Sequence, residues 1–184
     1  MINNDYIIDM SWCKSGGYCD FLPIKNETHL GFKHFKNKSR ARDTLSYQTL
    51  LSNLNLAPKP ITELCKVPYY YDPELLKYWI PETTVTDWGY VTEKADILEV
   101  DDDNMPYKEI QDLVDEIQNK TSLKFWDCHL DNIGIVKRNN KNKLVCIDTG
   151  KESFTSYSNA WGGIEPGPKC VYCFRYCCEC SDSL

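Results

Sequence analysis

Three polar residues in the second half of the chain have the types and the order that phosphoryl transfer requires. Asp127 and Asn132 lie close together in sequence, and Asp148 directly follows an apolar run at residues 144–147. Transfer from a nucleotide needs a carboxylate that orients or deprotonates the acceptor hydroxyl, and hard oxygen ligands for Mg²⁺. Asp127 is the candidate for the first role, and Asn132 and Asp148 are the candidates for the second.

A predicted β-hairpin positions the two candidate magnesium ligands. Residues 133–136 and 144–147 are short apolar runs, and the polar residues 137–143 between them are typical of a turn. Asn132 precedes the first strand and Asp148 follows the second, so pairing of the strands brings these two residues together. Alternatively, all three polar residues are capping and turn residues around the hairpin.

A cluster of cysteines near the end of the chain forms a second candidate site. Four thiolates suffice for a tetrahedral Zn²⁺ site, although only the first pair has the usual C-x2-C spacing. Disulfide pairing and free thiols are the alternatives. The five candidate ligands, of which four would bind zinc, are Cys170, Cys173, Cys177, Cys178 and Cys180.

Apolar runs and turn signals predict strands early in the chain. These strands are expected at residues 5–10, 18–24, 30–35, 67–71 and 90–92. One helix is predicted where apolar residues recur with helical spacing, at Tyr47, Leu50, Leu51 and Leu54. A second is expected to begin at Pro106, with an apolar stripe formed by Ile110, Leu113, Val114 and Ile117. This order of elements predicts the α+β class.

Composition excludes several classes of protein. With 42% hydrophobic and 26% charged residues among 184, the chain is expected to fold around a core. Its 21 basic and 27 acidic residues give a net charge of −6, which argues against nucleic acid or a membrane surface as partner. No apolar run approaches the roughly 20 residues of a membrane-spanning helix.

The expected localisation is cytoplasmic. The first residues lack the basic and apolar regions of a signal peptide. Buried thiols also favour a reducing compartment.

The chemistry-bearing segments resemble the catalytic and metal-binding loops of the protein-kinase-like superfamily. The matching residues are D-C-H-L-D-N at 127–132 and I-D-T-G at 147–150. They are most similar to the aminoglycoside-phosphotransferase and atypical-kinase version, in which a histidine lies two residues after the catalytic Asp. That histidine is His129 here, and we interpret it as a structural hydrogen-bonding residue rather than a base. Minimal folds of this type are carried by phages and mobile elements.

The resemblance implies a role for each matching residue. Asp127 corresponds to the catalytic Asp, and Asn132 and Asp148 correspond to the Mg²⁺ ligands. The implied reaction is ATP-dependent transfer of the γ-phosphoryl group to a protein or small hydroxyl acceptor. Further nucleotide-binding positions implied by the resemblance are Gly16, Gly17, Lys33, Glu93 and Ala95. Alternatively, Lys33 is a solvated strand lysine.

The resemblance also implies an organisation of the chain. Residues 1–92 would form a kinase-like N-lobe, with a small antiparallel sheet and one αC-type helix. Residues 93–155 would form the hinge and a minimal C-lobe that carries both loops, and residues 156–184 a loop-rich, cysteine-rich tail. The helical C-lobe would be severely truncated.

Departures from the family pattern keep two other hypotheses open. Gln48 stands where a Glu usually pairs with the strand lysine, and Thr149 replaces the Phe of the metal-binding loop. Phe125 and Trp126 replace the residues that usually precede the catalytic Asp. One alternative is therefore a pseudokinase-like module that sequesters or modulates a partner protein. The other is a zinc-tailed interaction protein with an unrelated α+β fold.

Overall fold

The computed structural model describes residues 6, 9, 14–15, 19–67, 87–98 and 106–154. Short antiparallel sheets and two α-helices formed by these residues place the protein in the α+β class. The chain divides into two compact units. Unit 1 comprises Met1–Leu45 and Pro60–Glu93, and unit 2 comprises Ser46–Lys59 and Lys94–Leu184.

Unit 1 contains an antiparallel sheet with strand order β1-β2-β3-β5-β4. The strands are β1 (Lys14–Ser15), β2 (Asp20–Pro23), β3 (Leu30–Phe35), β4 (Cys65–Val67) and β5 (Asp87–Glu93). The central pair is β3 and β5, which are hydrogen-bonded along the full length of β3.

Three of the predicted strands can be compared with this sheet. The prediction for residues 30–35 is confirmed residue for residue. The strand predicted at 18–24 is shorter in the structure, and the one predicted at 90–92 lies within the longer β5. The strand predicted at 67–71 meets the described residues only at Val67, which ends β4. Most of residues 5–10 lie outside the described part of the chain.

The two faces of this sheet carry separate apolar clusters, because alternate residues of a strand point to opposite faces. Leu30 and Phe32 pack on one face with Leu22, Ile24 and Val91. On the other face, the rings of Phe35 and Tyr90 stack at 6.0 Å between centroids, with Ala41 of the following helix.

Helix α1 (Lys38–Asn53) begins earlier than its apolar stripe predicts. Its first turn is capped by Asn37, whose side-chain oxygen accepts a hydrogen bond from Arg40 N at 3.0 Å. At its other end Asn55 adopts a φ of 60°, and Leu56 N donates to Leu51 O at 2.9 Å, which is the pattern of a Schellman cap. The predicted stripe is wrong at Leu50, which is 45% exposed.

Unit 2 contains helix α2 (Tyr107–Thr121) and a second sheet with strand order β6-β7-β8. Its strands are β6 (Asp96–Ile97), β7 (Ile133–Arg138) and β8 (Lys141–Cys146). The prediction of a helix after Pro106 is confirmed. Ile110, Leu113 and Ile117 are buried in one cluster with apolar residues from the end of α1, from the hairpin and from the segments before and after the hairpin. These residues include Leu51, Leu56, Phe125, Ile133, Cys146 and Phe154.

The predicted hairpin is confirmed, but its turn is tighter than the sequence suggests. Arg138 pairs with Lys141, so only Asn139 and Asn140 form the turn. Both have positive φ angles, 51° and 61°, as a two-residue type I′ turn requires. Asparagine tolerates this conformation better than most residues, and the polar residues on either side therefore continue the strands.

The described cysteines are reduced. Cys19, Cys65, Cys128 and Cys146 form no disulfide with one another, and the last two are buried. Burial raises the pKa of Cys65, whose sulfur donates a hydrogen bond to Gly89 O at 3.0 Å.

Neither described helix is long and apolar enough to cross a membrane.

Candidate functional site

The segment that carries Asp127 is held to unit 2 by aromatic packing and backbone hydrogen bonds. Phe125 is buried and its ring stacks on Phe154, with 5.4 Å between centroids. Trp126 N donates to Ser153 O at 3.2 Å. Asp127 therefore follows two anchored residues, and its own side chain is 22% exposed.

A short turn connects Asp127 to the hairpin. His129 N donates to Asp127 O at 3.1 Å, and Asn132 N donates to His129 O at 2.8 Å. Residues Leu130–Asn132 form a single 3₁₀ turn, after which β7 begins. This compact path explains how residues five positions apart come into side-chain contact.

The hairpin places Asp148 next to the backbone of Asn132, as its strand pairing predicts. Ile133 pairs with Cys146, and Ile147 N donates to Asn132 O at 2.9 Å, which extends the ladder by one step. Asp148 is the next residue and is half-buried. Its Oδ1 accepts a hydrogen bond from Gly150 N at 3.0 Å.

The carboxamide of Asn132 is the centre of a hydrogen-bonded group. Its Nδ2 donates to Asp127 O at 2.9 Å and to Asp127 Oδ2 at 3.1 Å. The same nitrogen lies 2.9 Å from His129 Nε2. Asn132 is only 8% exposed, whereas the side chains of Asp127 and His129 are partly exposed. Three side chains that the sequence singled out are thus brought into mutual contact.

Two oxygens of this site keep open coordination positions. Among the described residues, Asn132 Oδ1 and Asp148 Oδ2 accept no hydrogen bond. The alternative interpretation as turn residues accounts for Asp148 Oδ1, which closes a tight turn onto Gly150 N. For Asn132, the amide nitrogen bonds to Asp127 and His129 of the preceding turn, which leaves the amide oxygen without a role in that turn.

Gln48 is buried in unit 2 and contacts the residue that follows Asp148. Its Nε2 donates to Pro58 O at 2.9 Å, and Thr149 Oγ1 donates to its Oε1 at 3.4 Å. Gln48 and Thr149 are both fully buried. The sequence comparison identified these two positions as departures, but no local pattern indicated that they bond to each other or that Pro58 is a partner.

The remaining predicted site residues lie in several places. Lys33 is in the middle of β3 in unit 1 and is 6% exposed, so its interpretation as a solvated lysine is wrong. Glu93 ends β5 and Ala95 precedes β6, and both are half-buried. Gly16, Gly17 and the five tail cysteines lie outside the described residues.

The described residues include side-chain oxygens of the type that binds Mg²⁺, but they form no cluster of His, Cys, Asp and Glu side chains that could hold a metal by itself. Within the described ranges, no group of three or more His, Cys, Asp and Glu side chains is arranged to hold a metal. The side chains of Asn132 and Asp148 supply an amide oxygen and a carboxylate oxygen, which is the ligand type that Mg²⁺ takes, commonly with few protein oxygens while phosphate and water complete its shell. The sequence matches no family model, and no curated protein matches it significantly.

Proposed function

We propose that this protein is an ATP- and Mg²⁺-dependent phosphotransferase of the protein-kinase-like type. It transfers the γ-phosphoryl group to a hydroxyl of a protein or a small molecule. The observation that carries the proposal is the direct contact of Asp127 Oδ2 with Asn132 Nδ2 at 3.1 Å. This contact couples the residue that would activate the acceptor to a residue that would hold the metal.

Asp127 is the acceptor-activating residue in this proposal. Its carboxylate is partly exposed, so an acceptor hydroxyl can reach it. One of its oxygens is oriented by Asn132, so the carboxylate is positioned before the acceptor binds. Positioning and electrostatic stabilisation supply most of the catalysis in phosphoryl transfer, so this pre-orientation matters more than strong basicity.

Asn132 and Asp148 are the metal-binding residues. Each has one oxygen that accepts no hydrogen bond from described residues and can therefore bind a cation. A bound Mg²⁺ would bridge and neutralise the nucleotide phosphates. The backbone hydrogen bond between Ile147 N and Asn132 O keeps the chain positions of the two ligands fixed relative to each other.

The secondary structure agrees with the order that the resemblance implies. Lys33 lies on the third strand, helix α1 follows it, and Glu93 ends the fifth strand. The burial of Lys33 favours a role in the protein interior or on a bound anion over one as a surface charge. A phosphate contact by Lys33 stays a prediction.

A second candidate function is a pseudokinase-like module that binds a partner protein, and Gln48 favours it. Both ends of the Gln48 carboxamide are engaged, by Pro58 O and by Thr149 Oγ1. A carboxamide carries no charge, so it cannot neutralise a lysine as the usual Glu does. A protein that binds nucleotide but has lost turnover would have this feature.

Nucleotide binding with and without Mg²⁺, followed by a turnover assay, tests both candidates. The full chain is titrated with a fluorescent ATP analogue, and transfer or hydrolysis of γ-labelled ATP is then measured. Mg²⁺-dependent binding with turnover is expected for the phosphotransferase. Binding without turnover on any hydroxyl acceptor would select the pseudokinase module, and no binding in either condition would contradict both.

A further inference from the structure

We infer that His129 is a positioning residue whose Nε2 accepts a hydrogen bond from Asn132 Nδ2 and so holds the carboxamide in the orientation that leaves its Oδ1 available to a metal ion. This inference rests on the proposed function for the identity of the metal site. The hydrogen bond itself rests on the geometry alone, because Asn132 Nδ2 lies 2.9 Å from His129 Nε2. His129 acts through Asn132 in this scheme, because its Nε2 lies 3.8 Å from Asp127 Oδ2, which is too far for a hydrogen bond.

The tautomer of His129 follows from the chemistry of its neighbour. An amide NH₂ group only donates hydrogen bonds, so a ring nitrogen at 2.9 Å from it must accept. Nε2 therefore carries a lone pair, and the ring proton of the neutral imidazole is on Nδ1. The carboxylate of Asp131 lies on the Nδ1 side, with Oδ2 at 3.9 Å. Asp127 Oδ2 lies 3.8 Å from Nε2 on the other side of the ring, so the two carboxylates do not distinguish the tautomers, and the contact with the Asn132 amide decides between them.

The orientation of the Asn132 amide is equally determined. Reversal of the amide would place its oxygen at about the present position of Nδ2, which lies 2.9 Å from Asp127 O and 3.1 Å from Asp127 Oδ2. Those contacts between acceptors are repulsive, so only the present orientation is compatible with Asp127. Oδ1 consequently lies on the side of the amide away from these acceptors.

His129 adds what Asp127 cannot supply. The backbone oxygen and Oδ2 of Asp127 both approach the NH₂ group, but an amide has two hydrogens that point in different directions. The three acceptors around Nδ2 pair both of these amide hydrogens. Loss of His129 would leave the Asn132 amide held by Asp127 alone. The amide would keep this orientation, but it could then turn through a wider angle about its last side-chain bond. Outer partners that orient a metal ligand typically change metal affinity by about 10- to 100-fold when removed.

Mg²⁺ is the metal most sensitive to such a loss. It requires nearly ideal octahedral geometry, whereas Ca²⁺ accepts flexible and irregular ligand arrangements. A less well oriented Oδ1 should therefore weaken Mg²⁺ binding more than Ca²⁺ binding. A purely structural role of His129 would affect both metals alike, through the stability of the protein.

Two substitutions at this position separate the roles. His129→Gln retains an acceptor oxygen the same number of bonds from Cα as Nε2, and His129→Leu removes the acceptor at similar size. His29→Leu is the matched control, because His29 is 72% exposed and lies in unit 1. Each full-length variant is titrated with Mg²⁺ and with Ca²⁺ at fixed fluorescent ATP analogue, and its thermal unfolding is recorded.

The expected result is a roughly 10- to 100-fold weaker Mg²⁺ dependence in His129→Leu, with a smaller change for Ca²⁺. His129→Gln should recover most of the Mg²⁺ affinity, and His29→Leu should match the unmodified chain. Equal losses for both metals, or no loss in His129→Leu, would overturn the inference. If the unmodified chain shows no metal-dependent nucleotide binding, both the proposed function and the metal-binding part of the inference are wrong.

A measurement that needs no nucleotide tests the hydrogen bond separately. Long-range ¹H–¹⁵N correlation spectra of ring-labelled protein identify the protonated nitrogen of a neutral histidine. We expect the Nδ1–H tautomer at His129 in the unmodified chain. A proton on Nε2 of the neutral ring would overturn the inference while leaving the proposed function intact.

Discussion

Thr149 donates a hydrogen bond to the buried Oε1 of Gln48 at 3.4 Å, although the two residues are 101 positions apart. The other end of the same carboxamide donates to Pro58 O at 2.9 Å. One buried side chain thus joins helix α1, the segment that follows it and the loop after Asp148. The pairing requires one acceptor and one donor, which is what an amide provides and a carboxylate does not.

Gln48→Glu is expected to destabilise the protein, although the proposed kinase-like function would favour a glutamate here. At pH 7 a carboxylate oxygen would face Pro58 O, and we expect the free energy of unfolding to fall by about 2 kcal/mol. The loss should shrink as the pH falls, because the introduced carboxyl group, once protonated, can donate to Pro58 O. Urea denaturation at neutral and at acidic pH measures the difference.

The control for this prediction is Gln118→Glu on the exposed face of α2, which should change stability by less than about 0.5 kcal/mol. A Gln48→Glu variant as stable as the unmodified protein would contradict the prediction. Unchanged stability would indicate that the introduced carboxylate is paired with a cation.

Asp148→Ala is expected to abolish Mg²⁺-dependent nucleotide binding while leaving the fold intact. Asp148 contributes a charged oxygen to the proposed metal site, and within the described part of the chain its side chain accepts one hydrogen bond, from Gly150 N of its own turn. Titration with an ATP analogue in the presence of Mg²⁺, together with a thermal melt, checks both parts. Asp112→Ala on the exposed side of α2 serves as the carboxylate control. Unchanged affinity in Asp148→Ala would remove the main support for the kinase-like interpretation.

Asp127→Asn is expected to lower phosphoryl transfer by about 10²–10⁴-fold and to spare nucleotide affinity. The asparagine oxygen can still accept the hydrogen bond that Asn132 Nδ2 now donates at 3.1 Å, so the proposed metal site should stay ordered. Single-turnover kinetics and equilibrium binding distinguish the two effects. Turnover equal to that of the unmodified protein would mean that Asp127 has a structural role only.

Gly89→Ala is expected to destabilise unit 1 by about 3 kcal/mol, because added volume in a packed sheet forces its neighbours apart. A Cβ at Gly89 would lie 2.1 Å from Phe32 Cζ and 2.4 Å from Lys33 O, and the second atom belongs to the backbone. Gly150→Ala is the control, since its nearest contact is the flexible Glu152 carboxylate at 2.9 Å and its φ is −62°. Equal stability of the two variants would show that the β3–β5 pairing is looser than described.

The cysteine tail lies outside the described residues, and its prediction rests on sequence alone. Several thiolates close together in sequence are stabilised most readily by a metal ion. We expect close to one zinc per chain in protein purified without chelator, bound by Cys170, Cys173 and two of Cys177, Cys178 and Cys180. Elemental analysis measures the metal. Intact tail disulfides without metal, under cytosol-like redox conditions, would exclude the zinc site.

The sequence by itself determined the elements that local patterns specify. Strand β3 follows a run of apolar residues between turn signals, and α2 follows Pro106 with apolar residues at helical spacing. The hairpin was predictable because two apolar runs flank a polar segment, and its Asn139-Asn140 turn needs no distant contact. The order of Asp127, Asn132 and Asp148 was also visible, since it depends only on position along the chain.

Tertiary structure alone decided how the polar groups are paired and which residues are buried. Lys33 is buried and Leu50 is exposed, which their residue types do not predict, because burial depends on what the rest of the chain packs against. The partners of Gln48 come from residues 58 and 149, which no local pattern links. The Asn132 amide is likewise oriented by acceptors on Asp127 and His129. A hydrogen bond depends on distances of tenths of an ångström, and the folded chain sets those distances.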